Sequence, residues 1–180
     1  PLDFKPGTDW RYSVGYSIAA LIIEKITGQS YKNFLAENLF KPANLEYTVH
    51  ATGPYSETAT IAHSYVGWID MGTPMLWPPN FRNFRTGDLL STAEDLKQWL
   101  SALESGLILS DESLEQFWSP QSRFKERPVY AYGWFIHESP GDTVIEHGGD
   151  AALGHNGGIS IHKNHNLNIF IVTNSRTPSG

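Results

Sequence analysis

The sequence predicts an α+β fold, a helical cluster packed on an antiparallel sheet. Apolar residues recur at helical spacing only in the earlier part of the 180 residues, and from Val129 onward the period changes to two. The period-two stretches also follow one another in close succession, so neighbouring strands run antiparallel as a meander.

The first helix is expected from about Val14 to Thr27. Ile18, Leu21, Ile22 and Ile26 fall at helical spacing, Gly28 supplies a left-handed stop, and the apolar content predicts a mostly buried element. Ser30 can cap a second helix that carries Phe34, Leu35 and Leu39 and stops at Pro42, which lacks the amide the helix would need. Glu46 to Asp88 has no clear period, and Trp77-Pro78-Pro79-Asn80 reads as irregular. A loop this long is usually functional or packs on a neighbour. Ser91-Thr92-Ala93-Glu94 reads as a capping box, with Ser91 bonding the amide of Glu94 and Glu94 reaching back to Ser91. The helix it opens runs through Leu96, Trp99, Leu100 and Leu103 to Gly106. A shorter helix starts at Ser110 or Asp111 and ends near Trp118, and Ser119 to Pro128 is polar loop. Strands follow at Val129 to His137, Thr143 to His147, Gly158 to His162 and Leu167 to Thr173. Lys163-Asn164-His165-Asn166 turns between the last two.

Composition narrows the function classes. A chain of 180 residues is one domain or part of one. Hydrophobic residues make up 40 %, and 16 Gly with 11 Pro are too few for low complexity. The longest apolar run, Ile18 to Ile23, is far short of the roughly 18 residues a spanning helix needs, so no transmembrane segment is expected. Thirteen basic against nineteen acidic residues, net −6 with no basic run, argue against nucleic acid as a partner. The absence of cysteine excludes disulfides, thiolate metal sites and a Cys nucleophile. The chain opens on Pro1-Leu2-Asp3-Phe4, without an initiator Met or an export signal, and reads as a fragment.

Two segments carry candidate chemistry. In Phe4-Lys5-Pro6-Gly7-Thr8-Asp9-Trp10-Arg11-Tyr12-Ser13, a Pro-Gly turn delivers a Tyr-Ser pair to a helix start, where backbone amides favour negative charge. A phenol there can accept a proton if cations surround it; standing alone, such a Tyr is more often packing. In Glu146-His147-Gly148-Gly149-Asp150, a strand runs into glycines, which strip side chains from a sheet edge so that a ligand can approach the backbone amides. Read alone, His-Gly-Gly is as often a turn as a site.

With these segments, the sequence resembles the serine β-lactamase and penicillin-binding-protein-like hydrolases of the class C type, including their esterase and D-aminopeptidase relatives. The resemblance rests on Phe4 to Thr8 leading to Tyr12-Ser13, Ile22 to Ser30, Gly87 to Leu96, Tyr132-Gly133-Trp134, His147-Gly148-Gly149 and Val172-Thr173-Asn174, in family order across nearly the whole chain. It implies a β-lactamase/transpeptidase-like fold, incomplete at the N-terminus, with residues 1–180 the C-terminal portion of a single domain: a helical part about 1–128 and sheet strands about 129–174. It implies hydrolysis of an amide or ester bond (β-lactam, D-amino-acid peptide or simple ester) through an acyl-serine intermediate, without metal or organic cofactor. It further implies Tyr12 as general base, His147 and Gly149 as the substrate-binding third motif, and the amide of Asp150 as one oxyanion donor. The expected partners are a small-molecule or peptide substrate and the N-terminal half of the domain. Family members are often exported.

The family's Ser-x-x-Lys nucleophile lies before the Tyr motif and is absent from these residues. The two Ser-x-x-Lys matches present, Ser122 to Lys125 and Ser160 to Lys163, sit in a loop and on a strand, whereas the motif needs one helical turn to bring Lys beside Ser. Relatives read Tyr-Ser-Asn-x-Gly-Tyr where this chain reads Tyr12-Ser13-Val14-Gly15-Tyr16, one residue shorter, most simply by loss of the Asn. His in place of Lys in the third motif leans toward the esterase and peptidase branches.

Three rival readings remain. Gly15-Tyr16-Ser17-Ile18-Ala19 is a relaxed nucleophile elbow, which needs a buried apolar strand before it that Asp9 to Ser13 does not supply. His147, His155, His162 and His165 fall within nineteen residues and could hold zinc, although two flank a polar turn. A non-catalytic binding or structural domain of the same fold is the third, with Trp68, Trp77, Phe81 and Phe84 lining a cleft or packing on a partner.

Overall fold

The computed structural model describes residues 2–12, 15–51, 61–73, 87, 89–120, 129–150 and 154–176. Ser13, Val14, Trp77 to Asn80, Phe81, Phe84, Asp88 and the Ser122–Lys125 pair lie outside them.

Helix α1 spans Gly15–Thr27 and closes where Gly28, at φ +70°, returns its amide to Glu24 O at 2.9 Å. The expectation that it is mostly buried is overturned. Ala20 is its one buried residue, while Ile18 is 62 % and Ile26 78 % exposed, with Leu21 and Ile22 near half. The helix packs against the following α2 (Tyr31–Leu35), and nothing among the described residues covers its apolar stripe. Ser30 caps α2 by accepting from the amide of Asn33, and the Glu24 carboxylate accepts from the amide of Tyr31, tying the two helices. A single π turn, Ala36–Phe40, completes the segment before Pro42.

Among the described residues, the stretch read as irregular holds three short strands, β1 (Val49–His50), β2 (Ser64–Val66) and β3 (Ile69–Gly72), and β4 (Leu89–Leu90) follows it. β1 pairs with β4. The next helix, α3 (Ala93–Glu104), is capped one residue later than expected: Thr92, not Ser91, accepts from the amide of Asp95. Ser91 is diverted because its hydroxyl bonds Thr48 Oγ1 at 2.8 Å. Asp95, only 5 % exposed, accepts from the amide of Tyr47 at 2.8 Å and from Thr48 Oγ1 at 2.7 Å, clamping the chain entering β1 onto α3. Asp95→Ala strands these donors and is expected to cost about 2–3 kcal/mol, a melting-point loss of roughly 4–10 °C. Glu94→Ala, which removes only the exposed pair with Lys97, is expected to cost less than about 1 kcal/mol in the same thermal melt.

α4 (Asp111–Phe117), capped by Ser110, leads toward the main sheet. Its strands are β5 (Val129–Ala131), β6 (Trp134–Ser139), β7 (Asp142–Asp150), β8 (Asn156–His162) and β9 (Leu167–Thr173), in that spatial order and all antiparallel. The segment expected as one strand, Val129 to His137, is a hairpin broken at Tyr132-Gly133, where Gly133 adopts φ +99°. β7 also runs three residues past His147. Ile136, Ile145 and Ile161 lie in register across β6, β7 and β8, and with Trp134 and Leu100 of α3 they form the core, flanked by Phe117, Trp118, Ile159 and Phe170. The Lys163 ammonium sits 4.2 Å above the Trp118 ring.

β9 forms one edge of this sheet. Phe170 packs on the core, whereas Leu167, Ile169 and Ile171, alternating with it, are exposed. After β9 the chain crosses into a second sheet, where β10 (Ser175–Arg176) runs parallel to β2, itself hairpinned to β3. The fold is α+β, helices on a meander, as the sequence predicts. Among the described residues no helix is long and apolar enough to cross a membrane.

Candidate active site

Tyr12 stands three residues before the described start of α1, and His147 lies on β7; the fold brings them together. Their rings are 5.8 Å apart, centroid to centroid. Around them gather side chains that the motif reading did not single out. Tyr130 of β5 lies 5.9 Å from Tyr12 and stacks on Trp10 at 5.2 Å, and Phe135 of β6 stacks on His147 at 5.4 Å and meets Tyr130 edge-on at 4.8 Å. The Tyr130 hydroxyl is 3.3 Å from His147 Nε2, and His147 Nδ1 is 2.7 Å from the Gly148 carbonyl. Trp10, Arg11, Tyr12, Gly15, Tyr16 and Tyr130 line a cavity of about 220 Å³.

Burial raises the Tyr16 phenol above its ordinary value despite a hydrogen bond with Tyr130. Burial, then the Tyr16 neighbour, raises Tyr130 further. Of the three rings, Tyr12 and Tyr16 are exposed and Tyr130 is half-buried. Tyr130 was legible only as an inward or outward position of a period-two run, because its partners come from residues 118 and 17 positions away in sequence.

Beyond His147, β7 presents exposed Gly148, Gly149 and Asp150. Gly148 pairs with Gly158 and Gly149 with Gly157, so four glycines bare the backbone on two adjacent strands. An added Cβ on Gly149 or Gly158 would meet no atom within 4 Å, and one on Gly148 would make only an ordinary contact. Local packing therefore does not demand glycine here. Asp150 ends the strand, 3.5 Å from Arg176.

The other candidates fall elsewhere. Among the described residues no strand precedes Gly15, and Ser17 sits in the first turn of a helix. His155 Nε2 donates to the Ala62 carbonyl, and His162 Nδ1 lies 2.7 Å from Asp142, which His165 approaches at 3.9 Å. Among the described residues no three His, Asp or Glu side chains converge as metal ligands. Ser160 is 3.3 Å from His162 Nε2, so Ser160, His162 and Asp142 have the connectivity of a catalytic triad. Ser160 and His162 nevertheless lie on β8, flanked on both sides by β7 and β9, whose ladders engage its amides. Lys163 is committed to Trp118. Trp68 is fully exposed at the β2–β3 turn.

The profile of the Beta-lactamase family matches residues 1–180, the entire chain. The chain belongs to the β-lactamase family. Among curated proteins it is similar to protein flp of Staphylococcus aureus strain MW2, 28 % identical over 144 residues, covering 76 % of this chain and 28 % of that protein. It is similar too to the putative penicillin-binding protein PbpX of Bacillus subtilis, 28 % identical over 141 residues, covering 76 % and 33 %. Its fold is that of the D-amino acid amidase from Ochrobactrum anthropi SV3 (TM-score 0.77, 22 % identity, 98 % of this chain and 53 % of that one). The octameric penicillin-binding protein homologue from Pyrococcus abyssi is likewise similar (TM-score 0.80, 23 % identity, 96 % and 40 %). The chain spans about a third of the length of the curated relatives it matches and about half of the solved ones, so the β-lactamase-family domain it represents is incomplete.

Proposed function

We propose that residues 1–180 form the C-terminal portion of a single β-lactamase-like serine hydrolase domain that cleaves an amide or ester bond of a small molecule or peptide. The observation that carries this reading is the meeting of Tyr12 and His147 beside a strand bared by Gly148 and Gly149. In the reaction the hydroxyl of a serine from the remainder of the domain gives its proton to the Tyr12 oxygen as Oγ bonds the substrate carbonyl carbon. The tetrahedral oxyanion is held by backbone amides, that of Asp150 among them. The bond to the leaving nitrogen or oxygen then breaks, Tyr12 returns the proton to the leaving group, and water releases the acyl-serine by the same steps. No metal or organic cofactor is called on.

The remainder of the domain is the proposed partner of the open apolar stripe of α1, a patch of the kind that marks an interface. The amide-cleaving and penicillin-binding names of the relatives support an amide or ester substrate. Intact-protein mass spectrometry before and after exposure to a reactive phosphonate ester tests the reading. The full-length protein is expected to gain one adduct, unchanged in Ser160→Ala. No adduct, with reversible binding only, would replace the hydrolase by a binding module.

A further inference from the structure

We propose that Tyr130 is a positioning residue that holds neutral His147 in the tautomer with its proton on Nδ1. The inference rests on the reading above, in which His147 faces the substrate. The Gly148 carbonyl only accepts, so at 2.7 Å the His147 Nδ1 must be the donor. A neutral imidazole has one N–H, so Nε2 carries a lone pair, and the Tyr130 hydroxyl 3.3 Å away must donate to it. Burial keeps the Tyr130 phenol protonated for that task. The chain of donors runs Tyr130, His147, Gly148 carbonyl, and its direction is set by the end that can only accept. Stacking on Phe135, at 25° between planes, fixes the ring across its face while the two hydrogen bonds fix its edges.

The consequence for the site is specific. Both nitrogens of neutral His147 are engaged within the protein, so the ring offers no N–H to a substrate carbonyl, and polarisation falls to the backbone amides beyond it.

The test is long-range proton–nitrogen correlation NMR on histidine-labelled full-length protein at about pH 8.5, above the ordinary imidazole range near 6.5. His147 is assigned by the loss of its signals in His147→Gln. In the wild type Nδ1 is expected to be the pyrrole-type nitrogen and Nε2 the pyridine-type one. In Tyr130→Phe, which keeps the ring stacking and the Gly148 acceptor, the Nδ1–H form is expected to lose population to the Nε2–H form. A wild type with Nε2–H as the major form overturns the proposal without any variant, and so does a Tyr130→Phe spectrum with an unchanged tautomer. Because the readout needs no turnover, a protein that fails the phosphonate test but shows the tautomer shift loses the hydrolase reading and keeps the Tyr130 role. One that forms the adduct without the shift does the reverse.

Discussion

Tyr12→Phe in the full-length protein is expected to slow acylation by a phosphonate or ester by about 10²–10⁴-fold, the contribution of a positioned general base. That range corresponds to roughly 3–5.5 kcal/mol of transition-state stabilisation. The substitution is informative because it is narrow. The phenylalanine ring retains the packing of Tyr12 against Tyr130, Phe135 and His147, so only the oxygen is lost. Stopped-flow acylation kinetics give the number, and the melting point is expected to stay within about 2 °C. A rate within about threefold of wild type would take Tyr12 out of the mechanism, because a serine hydroxyl deprived of its base could not react that fast.

The largest effect on stability is expected at Gly154. This residue adopts φ +112°, and a Cβ there would stand 2.5 Å from the Tyr65 carbonyl oxygen and 3.1 Å from that residue's amide nitrogen. The obstacle is backbone, which cannot rotate aside as a side chain tip does. Gly154→Ala therefore combines a disallowed conformation with a clash and is expected to cost about 3 kcal/mol or more, lowering the melting point by roughly 6–12 °C. The effect also reaches the site, because Gly154 holds the return to β8 against β2, just beyond Asp150. Differential scanning calorimetry reads the stability. A loss below about 1 kcal/mol would show that the approach of the two backbones relaxes freely.

The parts of this fold legible in the sequence are those whose cause is local. The Ser30 and Ser110 caps, the stop at Gly28 and the alternation of β6 to β9 follow from residues near one another in the chain. What was not legible depends on distant partners. β2 reads as loop because three residues make no period, and its parallel neighbour β10 lies 110 positions on. Ser91 yields the cap to Thr92 because Thr48 takes its hydroxyl. The apolar stripe of α1 reads as core because period alone does not say whether a partner is present. In the site, Tyr12 and His147 were named from motif resemblance, while Tyr130 and Tyr16 emerged only when strands and helix were in place.

The free side of β9 bears on how such a chain behaves outside its domain. Five of the seven residues of Leu-Asn-Ile-Phe-Ile-Val-Thr favour strands, the segment has no charge and no proline, and among the described residues nothing pairs with its outer side. A polypeptide of these residues alone would offer that edge to a second copy, and strand addition would proceed toward aggregates. Production of this segment in isolation is therefore expected to give inclusion bodies. Soluble protein on co-expression with the rest of the domain would show that the remainder covers this edge.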